Sequence, residues 1–439
     1  MEPKTESHSR SSKHRLTVQI LIGMGIGVVV GLALNLFLGT IGETTGQLIR
    51  KVAVDGVFRL AGQVFLALLQ VLVVPLVLVS LTCGTAALND VRRLGRIGIR
   101  TFGLYLMTTA IAISIALFAA VLVGPGRGFG LDSEATFEAA TAPSLVDVLI
   151  GIFPKNIFQS LGEGNMLQII VFAILFGLAL TMAGKAGERI LAFLNDVNEV
   201  IMKLVWIVMV LAPYGVFALI ARTFSEQGFA AFAPLAKYFV LIVAVLFFQL
   251  LVVYPALLKV FSGLSPRPFL SKMREVQVFA FSTASSNATL PVTLNTVEKH
   301  LGVKNSVASF TIPLGATINM DGTAIMQGVA TVFIAQAYTM GLGLTDYLMV
   351  ILTATLASVG TAGVPGVGLI MLSMVLKQVG LPVEGIALII GIDRLLDMIR
   401  TAVNVTGDSA VSCIVAKGEN AIDIDTYHRS LSELEKEDS

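Results

Sequence analysis

Apolar residues run in long stretches separated by short polar connections over the first 262 positions. Stretches long enough to cross a hydrocarbon core of about 30 Å recur at 16 to 38, 60 to 88, 98 to 124, 166 to 183, 189 to 221 and 231 to 262, and a shorter apolar piece near 145 to 153 precedes the fourth. Each long stretch predicts a transmembrane helix. The first follows Lys4, Arg10, Lys13 and Arg15, the flank of a signal peptide, but its length is that of a span and predicts the first transmembrane helix.

After residue 262 the pattern changes. Val276 to Thr283 is followed by the polar Ser285-Ser286-Asn287 and then by Ala288 to Leu294 with Pro291, and neither arm alone reaches across a bilayer. A re-entrant hairpin accounts for this better than a span. The arrangement returns at Tyr347 to Ala357 and Val367 to Val375, where Gly360, Gly363, Pro365 and Gly366 between the arms forbid a continuous helix. Between the two hairpins, residues 303 to 337 form an apolar segment interrupted by Asn319-Met320-Asp321-Gly322-Thr323, and residues 384 to 416 form the last one. Backbone that is not helical at membrane depth survives only where protein buries it or where it lines a cavity. Paired broken segments point to a transport site between inverted repeats, with two ordinary kinked helices as the plainer alternative.

Composition agrees with the pattern. Of 439 residues, 55% are hydrophobic and 13% charged, about half the charge of a soluble domain. The tails are charged more densely than the body, with six charged residues in 1 to 15 and ten in 417 to 439. A net charge of +1 gives no reason to expect a nucleic-acid partner, and no zinc-type cluster is expected from His8, His14, His300 and His428, which all lie in tails or polar connections. Cys83 and Cys413 sit in apolar stretches as small hydrophobes rather than a disulfide. Arg92, Arg93, Arg96 and Arg100, then Lys185 and Arg189, then Lys259, Arg267, Lys272 and Arg274 mark three connections as cytoplasmic. Asp132, Glu134, Glu138 and Asp147 mark the loop at 127 to 147 as external, with those near 40 to 59 and 223 to 230, and both termini are expected in the cytoplasm.

The last apolar segment holds a local excess of charge: Asp393, Arg394, Asp397, Arg400 and Asp408 fall within 16 residues, with Thr401 and Asn404 among them. At about 100° per residue, all but Arg394 share about 100° of helical arc over some 22 Å. Buried charges of this kind need partners or a polar cavity, so either a structural ion-pair ladder or a binding site is expected. Arg400 offers a planar fork for a carboxylate and Asp397, one turn away, can hold an ammonium, a pair suited to an amino acid with an acidic side chain. The substrate's α-carboxylate then falls to Asn404, the amides of Ser285 to Asn287 and the helix N-terminus that begins there. Asp321 and Asp408, among Gly, Asn and Thr, have the character of oxygen sites for a small cation, or of proton carriers.

These residues resemble the dicarboxylate/amino acid:cation symporter family, the glutamate transporters and their prokaryotic homologues, over about residues 16 to 418. Four motifs in family order carry the resemblance: Ser285-Ser-Asn-Ala-Thr-Leu-Pro291, Asn319-Met-Asp-Gly-Thr323, Gly360-Thr-Ala-Gly-Val-Pro-Gly366 and Asp397-Met-Ile-Arg-Thr-Ala-Val-Asn-Val-Thr-Gly-Asp408. The resemblance implies an all-α integral membrane protein of eight transmembrane helices plus two re-entrant helical hairpins in inverted repeats. It also implies a homotrimer in which each transport domain slides against a fixed scaffold, with the second hairpin as gate. On that pattern 1–15 is a cytoplasmic tail, 16–97 scaffold (helices 1 and 2), 98–129 transport domain (helix 3), 130–228 scaffold (helices 4 and 5), 229–418 transport domain (helix 6 to helix 8 with both hairpins) and 419–439 a second cytoplasmic tail.

By the same resemblance, Arg400 binds the side-chain carboxylate and Asp397 the amino group of L-aspartate or L-glutamate. Ser285, Ser286, Asn287, Thr323, Gly363, Thr401 and Asn404 complete that shell. Sodium positions match Gly315, Asn319, Asn404 and Asp408 for one site, Thr317, Ser358, Val359 and Thr361 for a second, and Tyr105, Thr108, Thr109, Asn319 and Asp321 for a third. Two positions depart from the pattern. Ala284 stands where archaeal sodium-coupled members place an arginine, a charge that Arg394 can supply from the last helix, and Asn287 replaces a common serine. The expected function is sodium-coupled symport of acidic amino acids across the cell inner membrane, with co-transported Na+ and no enzymatic step. Proton-coupled symport and C4-dicarboxylate transport are the alternatives. An intramembrane aspartyl protease built on Asp393 and Asp397 is disfavoured, because that chemistry shares one proton between two carboxylates and here two guanidinium groups flank them.

Overall fold

The computed structural model describes residues 5–38, 40–41, 43–86, 96–129, 150, 153–359, 366–430 and 433. Those residues are almost entirely helical, with a lone antiparallel bridge between Val303 and Ile422 among them. Helix α1 spans Thr5–Leu38, and α2 (Glu43–Ile49) passes through a wide π turn at Arg50–Phe58 into α3 (Arg59–Ala86). Then follow α4 (Arg96–Val123), α5 (Ile157–Glu163), α6 (Met166–Met182), α7 (Lys185–Val210) and α8 (Ala212–Gln227). The apolar run expected to span at 189 to 221 is bent: α7 and α8, together long and apolar enough to cross a membrane, meet at 47°. Pro213 lies in the first turn of α8, where it has no N–H for the preceding turn and its ring crowds the carbonyl four residues back.

Helix α9 (Phe232–Phe248) runs through a π turn at Gln249–Val253 into α10 (Tyr254–Ser262), and the short α11 (Pro266–Lys272) follows. Three helix–break–helix pairs come next. The first is α12 (Arg274–Thr283) and α13 (Ser286–Asn295), the second α14 (Asn305–Ile318) and α15 (Asp321–Ala337), the third α16 (Leu344–Ser358) and α17 (Val367–Gln378). Ala284 turns the first break in a left-handed conformation at φ 47°, and Ser285 caps α13 by accepting from the Ala288 N–H. Helix α18 (Ile386–Gly418) and the short α19 (Ile424–His428) end the described chain.

Four described helical stretches are long and apolar enough to cross a membrane: Val18–Leu38, Thr44–Ala86, Ile97–Val123 and Phe232–Ser262. Glycines let α1 lie directly on α8. A Cβ at Gly23, Gly27 or Gly31 would stand 2.5, 2.9 or 2.6 Å from the carbonyl oxygens of Pro213, Phe217 and Ala221. Four-residue spacing of small residues permits this backbone approach, which supplies the packing that lipid cannot.

Helix α18 lies at the centre, against α8, α9, α10, α12, α14 and α15. Every residue from Arg400 to Ala416 is buried, including Val403 and Val405 on faces away from the charged stripe. A helix enclosed on all sides holds its polar groups at fixed positions, since each neighbouring element must supply their partners.

Candidate binding site in the core around the last helix

The charged stripe is folded onto itself at its first turns. Arg400, fully buried, donates through Nη1 to Asp393 Oδ1 at 2.6 Å and through Nη2 to Asp393 Oδ2 at 3.3 Å and Asp397 Oδ1 at 2.9 Å. Arg394 Nη1 lies 3.6 Å from Asp397 Oδ2. The structural ladder weighed from the sequence is therefore formed, yet it is incomplete. Arg400 Nε and Asp397 Oδ2 are buried without a hydrogen-bond partner among the described residues. The Arg400 guanidinium edge has a donor to spare, and Asp397 Oδ2 keeps only its longer ion pair with Arg394, so the pair can accept a ligand's carboxylate and a cationic group.

Elements α15 and α17 close around this pair. A Cβ at Gly368 would meet Arg400 Nη2 at 3.3 Å and Thr323 Cγ2 at 3.5 Å, and one at Gly322 would stand 2.7 Å from the Arg400 carbonyl oxygen. Asn404 accepts from the Gly322 N–H at 2.7 Å, and Thr401 donates to the Asp397 carbonyl at 2.8 Å. Ser285 and Ser286 are buried at the head of α13, whereas Asn287 is exposed. Gly363 lies outside the described residues.

A second cluster lies further along α18. Asn319, in extended backbone between α14 and α15, donates through Nδ2 to Asp408 Oδ1 at 3.0 Å. That bond turns Asn319 Oδ1 toward Thr108, whose Oγ lies 3.1 Å away. The same Thr108 oxygen is 3.0 Å from the Tyr105 carbonyl and 3.3 Å from Asp321 Oδ1. One hydroxyl proton cannot serve three acceptors, so oxygen lone pairs are in surplus here. Thr109 donates to Asp321 Oδ1 at 2.6 Å, and all these side chains are buried. Crowded carbonyl, hydroxyl and carboxylate oxygens are the donor set of a hard monovalent or divalent cation. Gly315 belongs to this neighbourhood, since a Cβ there would fall 2.6 Å from Asp408 Oδ1 and 2.7 Å from the Tyr105 hydroxyl.

The four residues expected as the remaining cation site are placed less closely. Thr317 donates to the Pro313 carbonyl at 3.2 Å and Ser358 to the Thr355 carbonyl at 2.8 Å, each within its own helix. Val359 is in extended backbone at the end of α16, and Thr361 lies outside the described residues.

One participant was missed in the sequence: Tyr254 donates its hydroxyl to Asp321 Oδ2 at 2.8 Å. Asp393, weighed from the sequence only as the structural partner of Arg400, takes its principal bond. Tyr254 and Gln249 were readable as isolated polar groups inside an apolar span, a signal that does not by itself name their target.

This arrangement defines a class: a multi-pass membrane protein with a buried arginine–aspartate network beside an oxygen cluster, the construction of a secondary symporter. A family model described as the sodium:dicarboxylate symporter family matches residues 16–418. The chain belongs to that family, and is a transporter rather than an enzyme. It is 35% identical over 430 residues to the proton/sodium-glutamate symport protein of Bacillus caldotenax, covering 96% of this chain and 98% of that one. It is 34% identical over 427 residues to the proton/glutamate-aspartate symporter of Escherichia coli (strain K12), covering 94% and 95%. A C4-dicarboxylate transport protein of Rhizobium leguminosarum is 34% identical over 409 residues, covering 91% and 89%.

Proposed function

We propose that the protein is a sodium-coupled symporter of L-aspartate or L-glutamate in the cell inner membrane. The observation that carries the ion is the Thr108 oxygen with three acceptors within 3.3 Å, Asp321 Oδ1 among them. A proton carrier needs one carboxylate and a path, whereas a surplus of converging carbonyl, hydroxyl and carboxylate oxygens serves a dehydrated cation. The buried Asp397 carboxylate supports the amino-acid reading, because a C4-dicarboxylate has no ammonium to set against it. In the bound state, Arg400 exchanges Asp393 for the substrate's side-chain carboxylate and Asp397 receives the amino group. Ser285, Ser286, Thr323, Thr401, Asn404 and the Gly363 region line the remaining shell, and Arg394 supplies positive charge beside them.

Sodium is held by Tyr105, Thr108, Thr109, Asn319 and Asp321 at one site. The second takes Gly315, Asn319, Asn404 and Asp408, and the third Thr317, Ser358, Val359 and Thr361. Coupling answers an electrical need, since an anionic amino acid entering a negative interior is opposed by about 2.3 kcal/mol per charge per 100 mV. The helices form eight spans, with α12–α13 and α16–α17 as re-entrant hairpins, and both termini are cytoplasmic. Residues 98–129 and 229–418 form a transport domain that slides against a scaffold of 16–97 and 130–228 within a homotrimer.

Proton coupling is the second reading, favoured by the buried pair of carboxylates Asp321 and Asp408 and by the names of the relatives. Uptake of labelled aspartate, glutamate and succinate into proteoliposomes, with sodium and proton gradients varied independently, separates them. The expected result is uptake driven by inward sodium at equal pH, with succinate a poor competitor. Uptake that persists without sodium and follows an imposed pH gradient overturns the sodium assignment, and equal competition by succinate overturns the amino-acid assignment.

A further inference from the structure

Tyr254 reaches Asp321 because its helix is not a regular α-helix. Positions 249 and 254 are five apart, so on an α-helix their side chains would stand about 140° apart. The π turn at Gln249–Val253 inserts one residue, and the Tyr254 N–H bonds back to the Gln249 carbonyl. The extra residue takes back about 100° of rotation and leaves the two side chains about 40° apart, on one face. Pro255 gives the sequence reason, since it has no N–H for the Leu251 carbonyl and its ring crowds that oxygen.

That face is turned to the cation cluster. Tyr254 is fully buried and its hydroxyl donates to Asp321 Oδ2 at 2.8 Å, while Thr109 and Thr108 lie at Oδ1. Gln249 is buried beside both Tyr254 and Asp321. Room for the hydroxyl comes from Gly407, where a Cβ would stand 2.6 Å from the Tyr254 oxygen and 2.7 Å from Asn319 Nδ2.

We propose that Tyr254, registered by the π turn between α9 and α10, is a positioning residue that fixes the rotation of the Asp321 carboxylate and thereby sets cation affinity and size selectivity. The inference rests on the cation-site reading of Asp321. With Oδ2 held by Tyr254, Oδ1 faces Thr108 and Thr109, and a cation finds the oxygens already at coordinating positions. Without the hydroxyl, the carboxylate turns freely and one buried oxygen loses its donor. Gln249, buried beside the carboxylate, is the neighbour that follows it when the cation enters.

The test is sodium titration of aspartate uptake by proteoliposomes containing the wild-type protein, Tyr254→Phe, Gln249→Met or Tyr427→Phe. Tyr427 is the control, since it is fully buried and donates to the Ser265 carbonyl at 2.8 Å, away from the cluster. Tyr254→Phe is expected to raise half-saturating sodium about tenfold, the effect of losing one hydrogen bond to a charged group. It should also narrow the ratio of lithium to sodium half-saturation and leave the aspartate KM at saturating sodium within about twofold. Gln249→Met is expected to shift sodium in the same direction by less, and carries the test if Tyr254→Phe does not fold. Unshifted sodium and lithium half-saturation in both variants overturns the proposal, as does an equal shift in Tyr427→Phe. Wild-type uptake that ignores sodium instead overturns the sodium reading on which this one rests.

Discussion

Arg400 is held by two carboxylates with its Nε left unmatched, so its charge is compensated before any ligand arrives. Removing one partner of such a buried network is severe, because the other charges stay behind. Arg400→Cys is therefore expected to abolish acidic amino-acid binding while retaining neutral amino acids, for which the cavity vacated by the guanidinium is sufficient. Isothermal titration of aspartate, serine and alanine to the purified variant checks this, and unchanged aspartate affinity rules out the assigned role. Arg400 and Asp397 could be singled out in the sequence from their helical spacing. Tyr254 could not be paired with Asp321, because 67 positions separate them and only the fold brings them together.

At the scale of elements, the break between α14 and α15 supplies the residue that joins the oxygen cluster together. Asn319 sits between α14 and α15 in extended backbone, which frees its side chain to bridge α4 and α18. Both helix–break–helix pairs at 274–295 and 344–378 were legible from their glycines, prolines and hydroxyl residues. The bend between α7 and α8 was not, because an apolar run looks uninterrupted whether or not Pro213 opens it. Close packing of α1 on α8 is another property of paired elements, resting on Gly23, Gly27 and Gly31. Gly27→Leu is expected to push the two helices apart and lower stability by about 1–3 kcal/mol. Thermal unfolding in detergent measures that loss, whereas Gly25→Leu, where a Cβ meets nothing within 4 Å, should leave the midpoint almost unchanged.

For the whole molecule, the expected assembly is a homotrimer, with native mass spectrometry in mild detergent as its check: a predominant species of three chains supports it, and monomer at all concentrations rules it out. Only 13% of residues are charged, and that low figure was enough to place the chain in a membrane, because lipid solvates few ionised groups. The sequence by itself also determined the helical pattern, the two interrupted regions and the charged face of α18, since all of these are periodicities within one segment. Tertiary structure alone decided which oxygens meet. Tyr105, Thr108 and Thr109 on α4, Tyr254 on α10, Asn319 and Asp321 at the break, and Asp408 on α18 converge from distant parts of the chain. Periodicity fixes the face a side chain occupies on its own helix, but a coordination shell is a set of distances between helices, and only packing sets those.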